Sequence, residues 1–229
     1  MTAEGADPSE REEALREAMR IVEAILFASA EPVAQTVLAA KLPAGADIQD
    51  TLFALARDYS SRGVNLVQTG GGWAFRTADD LAHLFVQERS PSKRLSRAAL
   101  EVLSVIAYHQ PVTRAEIEEV RGVETSKGTL DALMELEWVR MRGRRRSPGR
   151  PVTYGTTARF LDHFGLPELR DLPDLDELKG AGLLSPHMPA NFFMPLPPAQ
   201  PDDPSDDEDP LTDIDLEELG LLPPKPAEP

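Results

Sequence analysis

The sequence predicts a mainly helical α+β protein: two tandem winged-helix domains followed by a disordered, acidic, proline-rich C-terminal tail. Two observations carry this. One pattern of helix, turn and hairpin is written twice, 79 residues apart, so that Ala28-Ser29-Ala30-Glu31-Pro32-Val33 in the first copy stands where Ala107-Tyr108-His109-Gln110-Pro111-Val112 stands in the second. Upstream apolar positions match as well: Ile21 with Leu100, Ala24 with Leu103, Leu26 with Val105, Phe27 with Ile106. Each copy continues as two short helices and an alternating hairpin, the winged-helix order. The second observation is compositional. From Pro186 onward lie 12 of the 21 prolines, and the last 29 residues hold eleven acids against one base. Such a segment buries too little apolar surface to offset its ordering entropy.

The elements follow in order. A helix is expected from Ser9 to about Ser29, opened by a Ser9-x-x-Glu12 capping box, with Leu15, Ala18, Met19, Val22, Ile25 and Leu26 at helical spacing. Pro32 stops it, a second helix spans Gln35 to Leu42, and a third starts at the N-cap Asp47 and ends at Gly63. Val64 to Thr69 and Trp73 to Thr77 form the first hairpin around Gly70-Gly71-Gly72, and Leu81 to Glu88 closes the domain. After a polar linker from Arg89 to Leu95, the second copy runs through Ser96–Tyr108, then Thr113–Arg121 with a Thr113-x-x-Glu116 capping box and a stop at Gly122. It continues with Glu124–Trp138, a hairpin turning at Pro148-Gly149-Arg150-Pro151, and a closing stretch from Arg159 to Gly165. The domains are therefore expected at 9–89 and 96–166, with a closing segment at 167–185 and a tail at 186–229.

The chain has no cysteine, which removes disulfides and thiolate metal sites. No window reaches the roughly 18 apolar residues of a membrane span, and the N-terminus opens on acids, not on a basic and apolar leader. A cytoplasmic protein is expected. The formal net charge of −15 belongs mostly to the tail.

Catalysis finds no support. The triple glycine lacks the Lys-Ser/Thr of a phosphate loop, His109 and His163 have no neighbouring nucleophile and acid, and Glu12-Glu13 and Glu118-Glu119 are adjacent and so diverge on a helix. No catalytic, cofactor-binding or metal-ligating residue is assigned, and no cofactor is expected. DNA binding is the serious alternative. The third helix of the second copy sets Glu124, Asp131, Glu135 and Glu137 against Lys127, a charge pattern that repels a duplex. Its hairpin is the exception: Arg140, Arg142, Arg144, Arg145, Arg146 and Arg150 have no acid among them, and Arg142, Arg144, Arg145 and Arg146 are candidate phosphate contacts. The alternative function is thus a winged-helix DNA-binding regulator using this arginine-rich hairpin.

The run from Leu100 to Val123, LEVLSVIAYHQPVTRAEIEEVRGV, closely resembles the bacterial segregation and condensation protein B family, ScpB. So do Gly149-Arg150-Pro151, Tyr154-Gly155-Thr156-Thr157, Phe160-Leu161, Phe164-Gly165-Leu166 and Asp171-Leu172-Pro173. The resemblance covers about Arg11 to Leu184 and is strongest in the second copy. Where the family often has an acid before the Pro-Gly-Arg-Pro turn, this chain has Arg144-Arg145-Arg146-Ser147. The resemblance implies a non-enzymatic homodimer, paired through its first domain, whose second domain grips the kleisin subunit ScpA and through it Smc. Its role would be chromosome condensation and segregation during cell division, in the cytoplasm and at the nucleoid, with DNA contact indirect or weak. Candidate kleisin-binding residues are Thr113, Arg114, Ile117, Glu118, Arg121, Arg150 and Tyr154. The apolar face of the first helix, Leu15, Met19, Val22 and Leu26, suits an isologous dimer contact.

Overall fold

The structure, a computed structural model, describes residues 8–85, 95–174, 176–177, 197–203 and 205–222. The expected linker from Arg89, the latter part of the 167–185 closing segment and the first part of the tail lie outside these residues. The chain divides into two units, Met1–Arg94 with Leu161–Glu168, and Leu95–Phe160 with Leu169–Pro229. The expected second domain, 96–166, therefore loses its last residues to the first unit.

In the first unit, α1 (Pro8–Ala28) begins one residue before the expected capping box, at a proline, which costs nothing in a first turn because its amide has no intrahelical partner there. Helix α2 (Gln35–Ala39) is shorter than expected. Helix α3 (Ile48–Tyr59) starts as the sequence implies: the Asp47 carboxylate accepts the amides of Gln49 and Asp50 at 2.8 and 3.0 Å. Strands β1 (Val64–Thr69) and β2 (Gly72–Thr77) pair antiparallel from Val64↔Thr77 to Thr69↔Gly72, and Gly70 and Gly71 make the turn at φ 59° and 74°. Val33 adds a bridge to Trp73 that crosses so close over Gly72 that a Cβ there would lie 2.8 Å from the Val33 backbone. A 3₁₀ turn, Asp79–Phe85, stands where the closing helix is expected to begin. Val22, Leu26, Leu38, Leu52, Leu55 and Leu66 form the buried core, flanked by Trp73 and Phe75.

The second unit repeats the order. Helix α4 (Arg97–His109) is capped by Ser96, whose hydroxyl accepts the Ala99 amide at 3.1 Å. Strand β3 (Val112–Thr113) leads into α5 (Arg114–Arg121), stopped by Gly122 in the left-handed region. Helix α6 (Lys127–Glu135) starts three residues later than expected, because the Thr125 amide donates to Glu118 at 2.9 Å and Thr125 is buried outside the helix, leaving Ser126 as the cap. Strands β4 (Val139–Arg145) and β5 (Val152–Thr156) form the hairpin, with a bulge at Arg142 between the pairs Met141↔Tyr154 and Gly143↔Thr153. Helix α7 (Ala158–Phe164) follows, its residues from Leu161 on counted with the first unit. Val102, Leu103, Ile106, Ile117, Leu130, Leu133 and Val139 are buried.

Residues 205–222 of the tail depart from the expectation of disorder. Strand β6 (Glu208–Pro210) pairs antiparallel with β4, completing a sheet of order β3-β5-β4-β6, and helix α8 (Asp213–Glu218) follows under a Thr212/Asp215 capping box. Composition read along the tail alone misses the reason, which lies in the opposite charge of the hairpin it meets.

Candidate partner-binding surfaces

The second unit holds most of the expected site residues on α5 and the hairpin. Thr113 caps α5, accepting the Glu116 amide at 3.3 Å, while Glu116 returns the contact to the Thr113 amide at 2.7 Å. Arg145 donates to the same Glu116 carboxylate and to the Pro111 carbonyl, both at 2.7 Å. Burial pushes the Glu116 carboxyl up, but the Thr113 and Arg145 bonds outweigh it and hold it below the usual range. Arg145 thus fastens the hairpin to α5. Its guanidinium is engaged within the second unit, whereas the other candidate phosphate contacts, Arg142, Arg144 and Arg146, meet the acidic segment.

Three kleisin candidates are likewise engaged within the unit. Ile117 is fully buried among core side chains and presents no surface to a partner. The Arg121 side chain is 8% exposed, paired with Glu101 at 3.2 Å and with the Thr125 hydroxyl at 3.1 Å, so its fork is used internally. Glu118 accepts Arg114 at 3.0 Å as well as the Thr125 amide, and these bonds lower its carboxyl. Arg114 and Tyr154 keep accessible surface. Tyr154 sits on β5 between Val112 and Met141 in register, and burial raises its hydroxyl. The sequence reading passed over Leu100, Val120 and Val123, apolar side chains that stand about half exposed next in sequence to the engaged Glu101, Arg121 and Gly122.

Arg150, at φ 41°, pairs with Asp209 at 3.3 Å, and the remaining hairpin arginines are met by the tail in the same way. Arg140 pairs with Asp202, Arg142 with Glu208 at 2.8 Å, Arg144 with Asp215 and with Glu218 at 2.9 Å, and Arg146 with Asp209 at 2.8 Å. The Thr153 hydroxyl also donates to Glu208 at 2.8 Å. Asp215 is held down to about 2, first by the Thr212 hydroxyl and amide and then by Arg144.

In the first unit, Val22 and Leu26 belong to the core, and only Leu15 and Met19 of the expected dimer face are partly exposed. The open apolar surface lies one step round α1. Phe27 is 87% exposed beside a groove lined by Ala24, Tyr59, Val64 and Phe75. A large aromatic left in water at the mouth of an apolar groove is the signature of a contact site. Of the stripe that periodicity marks on α1, Val22 and Leu26 are the buried side. Among the described residues no helix is long and apolar enough to cross a membrane, and no cluster of His, Cys, Asp and Glu is arranged to hold a metal.

Comparison with known proteins covers the two units. A model of the family described as "Segregation and condensation complex subunit ScpB" matches residues 20–175. The Segregation and condensation protein B of Geobacillus thermodenitrificans is 41% identical over 178 residues, 74% of this chain and 83% of that protein. The homolog from Coxiella burnetii is 39% identical over 165 residues, 69% and 78% of the two chains. Among solved structures, ScpB from Mycobacterium tuberculosis is 32% identical, covers 66% of this chain and 97% of its own, and superposes with a TM-score of 0.30. A conserved protein of Chlorobium tepidum is 39% identical with a TM-score of 0.31. The extent of the family match and the identity of these relatives make this chain a member of the segregation and condensation complex subunit ScpB family.

Proposed function

We propose that this protein is a non-enzymatic accessory subunit of the bacterial Smc–kleisin complex in chromosome condensation and segregation. It acts as a homodimer of tandem winged-helix domains that binds the kleisin ScpA, in the cytoplasm and at the nucleoid. Family membership over both units is the observation that carries this reading. The side chains agree with a binding protein. Phe27 and its groove supply a self-complementary apolar surface on the first unit, the residue of one copy filling the groove of the other. On the second unit Tyr154, Arg114, Leu100, Val120 and Val123 give apolar contact with a charged rim, the composition of a protein interface. Helix α6, with Asp131 and Glu135 against Lys127, opposes the reading of a DNA-binding regulator that inserts its third helix into a groove.

Isothermal titration of the cognate kleisin into the full chain tests the kleisin site. Binding that Tyr154→Ala or Val120→Glu weakens at least tenfold, with the melting temperature kept, supports it. Unchanged affinity in both variants removes the second unit from the contact.

A further inference from the structure

We propose that the arginine-rich edge of the β4–β5 hairpin is a binding site for the phosphate backbone of nucleic acid, and that residues 202–218 of the same chain close it as a tethered phosphate mimic. The inference stands apart from the kleisin reading, which it neither needs nor weakens.

Five guanidiniums on one hairpin, those of Arg140, Arg142, Arg144, Arg146 and Arg150, meet five carboxylates of one segment, those of Asp202, Glu208, Asp209, Asp215 and Glu218. Residues 139–150 contain no acid of their own, so without the segment these charges repel one another and have no carboxylate partner within the hairpin. The guanidinium fork that donates to a carboxylate donates to a phosphate in the same geometry. The segment lies beyond the family match at residues 20–175, so the closure is an addition to the shared domains. It also carries most of the chain's net charge of −15, the charge that keeps a duplex away.

The character of the contact favours phosphate over a protein partner. Peptides that add a strand to a sheet edge owe their affinity to main-chain hydrogen bonds and their specificity to pockets for alternate side chains. Here the buried side chain of 205–222 is a carboxylate, Asp215, while Ile214 is 70% exposed and Leu221 57% exposed. Three register pairs, Gly143↔Pro210, Arg144↔Asp209 and Arg145↔Glu208, hold the strand, the Arg146 amide donates to the Asp207 carbonyl, Arg142 and Arg146 donate to the carbonyls of Asp203 and Asp206, and the ion pairs add charge. An array of guanidinium charges is what a backbone of regularly spaced phosphates satisfies, without regard to base sequence. Gly143 permits the closure, since a Cβ there would overlap the Asp209 carbonyl oxygen.

The test measures fluorescence anisotropy of a labelled duplex DNA, at about 50 mM and about 200 mM salt, with the full chain and two released forms. One form is Asp209→Ala/Asp215→Ala/Glu218→Ala. The other is Gly143→Val, which expels the strand by bulk and leaves every charge in place. Hydrogen exchange of the 205–218 amides reports release. The proposal expects faster exchange and at least tenfold tighter DNA binding in the triple variant, a smaller gain in Gly143→Val, and steep weakening with salt. Adding Arg144→Glu and Arg146→Glu to the triple variant returns binding to the level of the full chain. Release without tighter DNA binding overturns the proposal, as does binding that survives the arginine reversals. Amides that stay protected in both forms overturn the closure. A released form that ignores DNA but takes up a synthetic peptide of residues 201–222 makes the edge an acidic-peptide site instead.

Discussion

Arg142 and Glu208 meet at 2.8 Å with side chains only 4% and 9% exposed, the most deeply buried of the ion pairs that join the hairpin to the acidic segment. The bulge places Arg142 there, and Thr153 donates to the same carboxylate. Stripping one partner from a buried pair ordinarily costs about 3–5 kcal/mol because a charge is stranded. If the segment closes the hairpin reversibly, as proposed, it leaves instead, and departure rehydrates Arg142. Glu208→Ala is therefore expected to raise exchange of the 205–218 amides by an order of magnitude or more while the unfolding midpoint of the second unit stays within experimental error. A large fall in that midpoint would mean the segment is part of the core.

Acid is expected to open the same contact. Asp215 is depressed to about 2 and Asp209 lies below its ordinary value, the latter chiefly through its bond from Arg146. A depressed carboxylate contributes stability that is complete above its unfolded value near 4 and is lost as pH falls through the folded one. Protection of the 212–218 amides should thus hold at pH 5 and decline between about 4 and 2. At neutral pH, about 1 M salt should mimic part of the effect, since the Arg146 and Arg150 pairs are half exposed and screened. Protection unchanged by both treatments would contradict an electrostatic contact.

Gln110 ties α4 to β5 from inside the second unit. Its Nε2 donates to the Thr156 hydroxyl at 2.9 Å and its Oε1 accepts the Thr156 amide at 2.8 Å, in a site where Gln110 is 5% exposed and Thr156 fully buried. Gln110→Ala leaves the Thr156 amide without its acceptor and should cost about 1–3 kcal/mol in urea unfolding. A loss under about 0.5 kcal/mol would show that water replaces the side chain.

Arg121 and Arg114 sit on one short helix and are expected to behave differently. Arg121→Glu sets a second acid against Glu101 in a nearly closed site, so it should lower the melting temperature of the second unit before any partner is added. Arg114→Ala removes an i,i+4 pair with Glu118 at the surface, where water and salt screen the charges, and should leave melting almost unchanged. Equal thermal shifts in the two variants would refute this division of labour.

Much of the fold was legible because it is local. Helical spacing along α1, the caps Asp47, Ser96 and Thr113, and the turn at Gly70-Gly71 are each decided within a few residues, and the structure realises them. What escaped is set by distant partners. Thr125 leaves α6 because Glu118 takes its amide, and Val33 becomes a bridge because Trp73 faces it. The tail orders because arginines far upstream neutralise it. The candidate site shows the same division. Thr113 and Glu116 form the box that their spacing announces, yet Ile117, Arg121, Val22 and Leu26 are buried within their own units, since periodicity identifies a face without saying which neighbour covers it. Phe27 is the case in reverse, matched in the duplicated pattern with the buried Ile106 but itself left in water.

The most direct test of the account is size-exclusion chromatography with light scattering on the full chain, alone and with its cognate kleisin at moderate salt, beside Phe27→Glu. The account predicts a dimer that co-elutes with the kleisin, and a monomer for Phe27→Glu that still binds it. A wild-type chain that is monomeric and elutes apart from the kleisin would contradict it.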